Sequence, residues 1–278
     1  MRSLVQPGPA SAARIETLAG VCARLEFALE PGLTLADAIC APLIEAGVRG
    51  ATLRFAGAVL KPFRYVIPGP PDGPAHVAYF SAPRTPSGAT RIELANVTFG
   101  QIDGKKVLHC HAAWQEHEAG RRGGHILLDE SVVTTSALVT AWTFSDIGFR
   151  AEPDPETNFA LLRPQRIGGG EEGRAVVARI RPNQDVCTAV ETIARRHGMR
   201  DAVVRGSLGS LIGARFAGGR EVGDRATEVL VRYGNVRNGV ATIDMVVVDM
   251  EGRVHEGRLV RGDNPVCITF DLVLEAVG

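Results

Sequence analysis

The feature that most constrains the fold is an internal repeat. Residues 31–54 align without a gap with residues 182–205, at a constant offset of 151. Six of the 24 aligned positions are identical: Pro31, Ala38, Gly47, Arg49, Ala51 and Arg54 match Pro182, Ala189, Gly198, Arg200, Ala202 and Arg205. A period of this size belongs to a whole domain rather than to a solenoid repeat. The chain of 278 residues is therefore predicted to contain two copies of one domain.

Both copies open with the same pattern of elements. An apolar strand leads through a turn into an amphipathic helix, and a second strand follows. The apolar helix positions are Leu35, Ile39 and Leu43 in the first copy and Val186, Val190 and Ile193 in the second. Thr34 and Asp185 are predicted N-caps, and Gly47 and Gly198 stand where a left-handed C-terminal residue is expected. The rest of each copy is rich in strands. This pattern predicts an α+β fold in which each copy has a mostly antiparallel sheet and one or two helices.

The composition of the chain suggests where the copies meet. Residues 168–173 are Gly-rich with two glutamates, as in a flexible linker, and the stretch before them is broken by prolines. The predicted first domain spans residues 15–163, the linker 164–173 and the second domain 174–278.

Three histidines in the first copy form the most specific motif. His109 and His111 lie in an apolar segment that is typical of a strand, so both side chains are expected on one face and Cys110 on the other. A polar, Gly-rich stretch follows and predicts a hairpin that brings His125 beside them. Three imidazoles on one patch match the ligand set of a divalent metal, with zinc as the predicted ion and one position left open. A solvated strand face is the alternative interpretation of the first two histidines alone.

Charge and cysteine content narrow the classes of partner and compartment. The 31 basic and 31 acidic residues give a formal net charge of zero, which does not favour a free-standing nucleic-acid binder. Five cysteines form no C-x-x-C motif and are odd in number, which favours a reducing, cytoplasmic location over a disulfide framework. No apolar run is long enough to span a bilayer, so no membrane association is expected.

The chain resembles a tandem of the plants-and-prokaryotes-conserved (PPC) domain. The resemblance rests on the strand–helix opening, on Glu93-Leu94 before Phe99-Gly100, and on the histidine motif with Gly123-Gly124. In the second copy it rests on the glycine-rich segments that begin at Arg205 and Gly257. The resemblance implies an α+β fold, assembly as a homotrimer, and a metal-binding role for His109, His111 and His125. In plants the domain accompanies a DNA-binding AT-hook.

Two departures from that family pattern affect the expected function. An AT-hook inserts an Arg-Gly-Arg-Pro core into the minor groove, and neither Arg-Gly-Arg nor Gly-Arg-Pro occurs here. The second copy places Asp244, Val246 and Arg258 where the first has its histidines, so it is expected to be free of metal.

Three functions remain open on the sequence alone. The first is a metal-binding module that recognises a small ligand or a partner and has a possible regulatory role. The second is a small zinc-dependent hydrolase or lyase, because a three-histidine site with an open position lowers the pKa of bound water. Its anionic substrate would be held by Arg54 or Arg91, and Glu93 is the candidate group to orient an imidazole or act as a base. The third is a DNA-binding protein, as the family label suggests.

Overall fold

The computed structural model describes residues 2–71, 73–169 and 173–277. The first half of the chain contains helix α1 (Leu35–Glu45) and a short 3₁₀ turn at Leu128–Glu130. Its strands are β1 (Ile15–Gly20), β2 (Ala23–Ala28), β3 (Gly50–Phe55), β4 (Val59–Leu60), β5 (Tyr65–Val66), β6 (Pro68–Gly69), β7 (Tyr79–Phe80), β8 (Thr90–Ile102), β9 (Lys105–Glu116), β10 (Gly120–Ile126), β11 (Val133–Thr135), β12 (Leu138–Phe144), β13 (Ile147–Pro153) and β14 (Ala160–Arg166).

The second half contains helix α2 (Val186–Arg196) and eight further strands. They are β15 (Ala175–Ile180), β16 (Ala202–Leu211), β17 (Ala214–Arg215), β18 (Glu221–Val222), β19 (Thr227–Arg237), β20 (Val240–Val248), β21 (Val254–Arg258) and β22 (Val266–Ala276).

The two large sheets have the same strand order. The first sheet runs β2-β12-β3-β8-β9-β10 and the second runs β15-β22-β16-β19-β20-β21, with every neighbouring pair antiparallel. One further strand lies at an edge of each sheet, β5 on the first and β1 on the second, and β4 and β11 also belong to the first sheet through the pairing of β4 with β8. The repeat in the sequence therefore corresponds to a repeat in the topology, and the predicted α+β fold with two copies is confirmed.

The helix ends follow the predicted capping residues. The Thr34 side chain accepts a hydrogen bond from the Asp37 amide, and the Asp185 side chain accepts one from the Thr188 amide. Gly47 and Gly198 have φ angles of 68° and 67°, in the left-handed region that glycine adopts at little cost. Each helix therefore begins at a residue whose side chain satisfies a free backbone amide, and it is followed by a glycine that lets the chain turn away from the helix axis.

The two sheets stack face to face, and each is covered by its helix on the outer side. Alternate residues of β8 and β9, such as Val97, Cys110 and Trp114, pack with α1 in the first core. The opposite faces of the sheets meet in a smaller apolar cluster of Ala113, Leu208, Leu230 and Val246. The functional residues described below lie between the sheets, beside this cluster.

Two segments differ in detail from the expected division of the chain. Strand β1 pairs with β15 and therefore belongs to the second sheet, although it precedes the rest of the first copy. Residues 164–166, which the sequence placed in the linker, belong to β14, and β14 pairs with β13 in a hairpin. Of the predicted linker, residues 170–172 lie outside the described residues. Neither described helix is long and apolar enough to cross a membrane.

Candidate metal centre between the two sheets

The three predicted histidines lie together on the face of the first sheet that meets the second. His109 and His111 are two residues apart on β9 and point away from the first core, whereas Cys110 between them is fully buried in that core. His125 on β10 stands directly opposite His111 in the antiparallel register. The turn between the strands is short, so the hairpin brings His125 beside the other two, as predicted.

The distances between the imidazoles suit one small cation. His109 Nε2 and His111 Nε2 are 3.2 Å apart, and one ring nitrogen from each of the three residues lies within 4.8 Å of the others. Zinc bonds to imidazole nitrogen at about 2.0–2.1 Å, so two tetrahedral ligands stand about 3.3–3.4 Å apart. The closest pair already has this spacing. In the part of the chain that the structure describes, this is the one group of histidine, cysteine and carboxylate side chains able to enclose a metal.

The outer nitrogens of two histidines are held by the second sheet. His109 Nδ1 is 3.0 Å from Asp271 Oδ2 on β22, and His111 Nδ1 is 3.1 Å from the Val229 carbonyl oxygen on β19. A carboxylate or carbonyl on the outer nitrogen is the usual way in which proteins orient a metal-binding imidazole. These contacts leave both Nε2 atoms facing the shared space between the rings.

The protonation of the histidines also suits metal binding. Burial lowers the pKa of His111 well below its usual value, and the neighbouring His109 and His125 lower it further. Burial and His109 lower the pKa of His125 to about 3. The Nδ1 atom of His125 is buried and has no hydrogen-bond partner among the described residues. The lowered pKa values favour the neutral form of His111 and His125, which is the form that coordinates a metal.

Glu228 on β19 is a fourth polar group at the site. Its Oε1 lies 3.8 Å from His111 Nε2, and its side chain is only 5% exposed. Both carboxyl oxygens are buried without a hydrogen-bond partner in the described structure. Burial raises the pKa of Glu228 well above its usual value. A buried carboxyl group without a partner is costly unless a ligand satisfies it.

A cavity of about 90 Å³ lies next to the histidines and Glu228. Both halves of the chain form its wall. His109 and His111 line one part, and Gly209, Ser210 and Thr269 of the second sheet line another. Tyr79, Phe80 and Phe159 form an aromatic rim, in which the Phe80 ring contacts the His125 ring edge-on at 5.4 Å between centroids. The space holds only a small molecule or a few waters.

The structure does not bring the predicted arginines to the histidines. Arg54 on β3 donates to Asn96 Oδ1 at 3.0 Å and to the Arg232 carbonyl at 3.1 Å, so its guanidinium joins the two sheets. Arg91 is exposed near the far end of β8, opposite Gln115. Neither lines the cavity. Sequence spacing could not show this, because it does not reveal which sheet face is covered by the second copy.

Glu93 also lies away from the histidines. A bulge between Ile92 and Leu94 shifts the register of β8, and Glu93 accepts a hydrogen bond from Arg121 Nε at 2.7 Å. Arg121 also pairs with Glu256 of the second sheet. The candidate role of Glu93 beside an imidazole is therefore corrected: its carboxylate belongs to an ion pair at the rim of the contact between the sheets.

Asp271 and Glu228 lie at the site but were not predicted from the sequence. The turns of the β8–β9 and β19–β20 hairpins align at an offset of 135, which equates Glu93 with Glu228 in the sequence. A bulge between Val231 and Tyr233 shifts the register of β19, so Glu228 lies opposite Val248, whereas the residue opposite the equivalent Ala113 in the first sheet is Leu94. The carboxyl group beside the histidines therefore comes from the second copy, at a position that is not the structural counterpart of Glu93.

In the second copy other side chains occupy the positions of the histidine cluster. Asp244 at the position of His109 pairs with Arg232 Nε at 2.7 Å, and Val246 at the position of His111 is buried in the apolar contact between the sheets. The residue opposite Val246 in the register is Glu256, whereas Arg258 stands opposite Asp244. Among the described residues no group of metal ligands forms here.

Residues 167–278 match the sequence profile of the Plants and Prokaryotes Conserved (PCC) domain. The second half of the chain is a PCC domain. Since the first sheet repeats the strand order of this PCC domain, the chain is a tandem of two PCC-like units.

Solved structures with a similar fold cover about half of the chain. A metal-containing protein from Archaeoglobus fulgidus is 19% identical and matches over 52% of this chain and 96% of its own, with a TM-score of 0.42. A plant- and prokaryote-conserved protein from Pyrococcus horikoshii is 16% identical over 54% of this chain and 99% of its own, with a TM-score of 0.42. A structure from Bacteroides thetaiotaomicron, described as a candidate DNA-binding protein, is 13% identical and matches over 50% of this chain and 91% of its own, with a TM-score of 0.39. No protein with curated annotation matches the chain.

Proposed function

We propose that this tandem PCC protein binds one zinc ion through His109, His111 and His125 and uses the adjacent cavity to recognise a small ligand. The observation that carries the proposal is the orientation of the histidines. Asp271 and the Val229 carbonyl hold the outer nitrogens of His109 and His111, and the inner nitrogens converge at the spacing of zinc ligands. Zinc is favoured over calcium or magnesium because the donors are imidazole nitrogens rather than oxygens.

Metal analysis of the purified whole protein tests this function. We expect about one equivalent of zinc per chain in the wild type and none in the His109→Ala, His111→Ala double variant. The matched control is His255→Ala in the second copy, since His255 pairs with Asp249 away from the cluster and should leave the metal content unchanged. A wild-type protein without metal after exposure to zinc, or a double variant that retains as much, would show that the site is wrong.

A zinc-dependent hydrolase or lyase is the second candidate, and the cavity beside the cluster favours it. A bound zinc ion with an open position would supply a Lewis acid and activate water. Glu228 is within reach of the same space and is the residue placed to exchange a proton there. Turnover in a substrate screen that a chelator abolishes would support the enzyme over the binding module.

The family resemblance further leads us to propose a homotrimer of the tandem chain in a reducing, cytoplasmic environment. All five cysteines are free, and four of them are buried, which suits such a compartment. Light scattering coupled to size exclusion should give the mass of three chains. DNA binding, the third function, would appear in a gel shift as an affinity that falls steeply with salt; the zero formal net charge gives it little support.

A further inference from the structure

The cavity beside the histidines has a polar end and an apolar end. At the polar end Glu228 carries two buried carboxyl oxygens with no hydrogen-bond partner among the described residues. At the apolar end the rings of Phe80 and Phe159 lie 6.2 Å apart between centroids, and Tyr79 stacks on Phe159 at 5.7 Å. A ligand that satisfies both ends needs one hydrogen-bonding head and a short apolar body.

The charge of the wall limits the ligand further. The described residues that line the cavity include no lysine or arginine. Arg54, which the sequence predicted to hold an anion, is instead hydrogen-bonded to a carbonyl of the second sheet. An anion would therefore find no positive side chain on the wall, and beside a metal ion on the histidines it would still face the Glu228 carboxyl group. A hydroxyl head can both donate to and accept from a carboxyl group, so it matches Glu228 in either protonation state.

The aromatic rim is built from the segment between β3 and β8, together with Phe159. Strands β6 and β7 pair with each other and carry Tyr79 and Phe80, while Val77 and Ala78 pack against Ile212, Ala226 and Cys267 of the second half. The rim is therefore fixed on the second unit and closes over the histidines of the first. Tyr79 and Phe80 are each 40% exposed, which leaves their outer edges open to solvent.

We propose that the cavity binds a small neutral molecule with a hydroxyl head and a short apolar body, with the head on Glu228 beside the histidines and the body against Phe80 and Phe159. The assignment rests on the proposed function, since it names the class of ligand for the same site. Glu228 and the rim thus determine which molecules reach the histidine cluster.

The test uses n-butanol and inorganic phosphate as probes on the whole zinc-loaded protein. Binding is followed by ligand-observed NMR titration, and the zinc content and melting temperature of every variant are measured in parallel. We expect n-butanol to bind with a Kd on the order of millimolar and phosphate to bind at least tenfold more weakly. Glu228→Leu should weaken butanol at least tenfold, whereas Glu228→Gln, which keeps a donor and an acceptor in the same space, should stay within about threefold.

Phe80→Ala separates the apolar contact from the polar one and should weaken butanol about fivefold because it removes part of the wall. Tyr233→Ala is the matched control, since Tyr233 is an aromatic side chain that is 59% exposed and does not line the cavity. It should leave butanol binding unchanged.

The outcomes distinguish this inference from the metal function. Phosphate binding that exceeds butanol binding, or a Glu228→Leu variant that binds butanol as the wild type does, would overturn the ligand assignment while the zinc content leaves the metal site standing. Butanol binding that depends on Glu228 in a wild-type protein unable to take up zinc would support the ligand assignment and overturn the metal site.

Discussion

The strand pairs β9–β10 and β20–β21 occupy the same place in two sheets of identical order, yet they do different things. The first pair presents His109, His111 and His125 to the space between the sheets. The second presents Val246 to the apolar contact and Asp244 to an ion pair with Arg232. The first copy therefore places imidazole rings beside a cavity, whereas the second places an apolar side chain and an ion pair at the corresponding positions.

This difference shows that the sheet of the unit does not depend on the three histidines. The second PCC-like unit builds the same sheet with a valine where the first has His111. Both copies also contribute residues to the site, because the histidines come from the first copy while Asp271 and Glu228 come from the second. A site shared in this way needs both copies, which gives a physical reason for the two units to remain in one chain.

The largest loss of stability is expected from a substitution in the apolar contact between the two sheets. Leu230 is fully buried between the sheets, in contact with the cluster that contains Val246. Leu230→Ala should lower the free energy of unfolding by about 2–5 kcal/mol, because it removes buried methyl groups and leaves a cavity. Chemical denaturation measures the change.

The zinc content of the Leu230→Ala protein should stay near that of the wild type, since no metal contact is removed. A variant that loses zinc but keeps its stability would reverse the roles assigned to the two strand pairs.

A second comparison uses one glycine from each strand pair. Gly124 on β10 and Gly257 on β21 have φ angles of 155° and 157°. A Cβ at Gly124 would lie 2.5 Å from the Val66 carbonyl oxygen, whereas one at Gly257 would meet a ring carbon of Phe216 at 3.0 Å and Arg220 Nη2 at 3.2 Å. The backbone at Val66 is held in the sheet, while the side chains near Gly257 can move.

Gly124→Ala should therefore cost about 3 kcal/mol and Gly257→Ala about 1 kcal/mol. Thermal and denaturant unfolding of the two variants, side by side, would measure the difference. Equal costs would mean that the two strands are constrained alike, against the contacts described above.

The sequence was sufficient for the features that depend on local pattern. Apolar spacing placed both helices, Thr34 and Asp185 capped them as predicted, and alternation along β9 put His109 and His111 on one face and Cys110 on the other. The hairpin signal then brought His125 into the cluster. Each of these rests on the geometry of one strand, one helix or one turn.

The parts that failed depend on how the two sheets stack. Asp271 lies 162 residues from His109, and no periodicity links them. Arg54 was predicted to hold a ligand because the sequence does not show that carbonyls of β19 cover it. For Glu93, a bulge shifts the register of β8, and the carboxyl group beside the histidines comes from Glu228 of the other copy.

The smallest effect is expected at Glu93. It is exposed and bonded to Arg121, which also pairs with Glu256 across the contact between the sheets. Glu93→Gln should cost less than about 1 kcal/mol, because exposed ion pairs contribute little in water. The cost should shrink further in 1 M salt, where charges are screened within about 3 Å. Zinc content and butanol binding should not change, since Glu93 is remote from the cavity wall. Denaturation at low and high salt tests the stability, and a loss of either binding activity would return Glu93 to the site and remove the functional difference between Glu93 and Glu228.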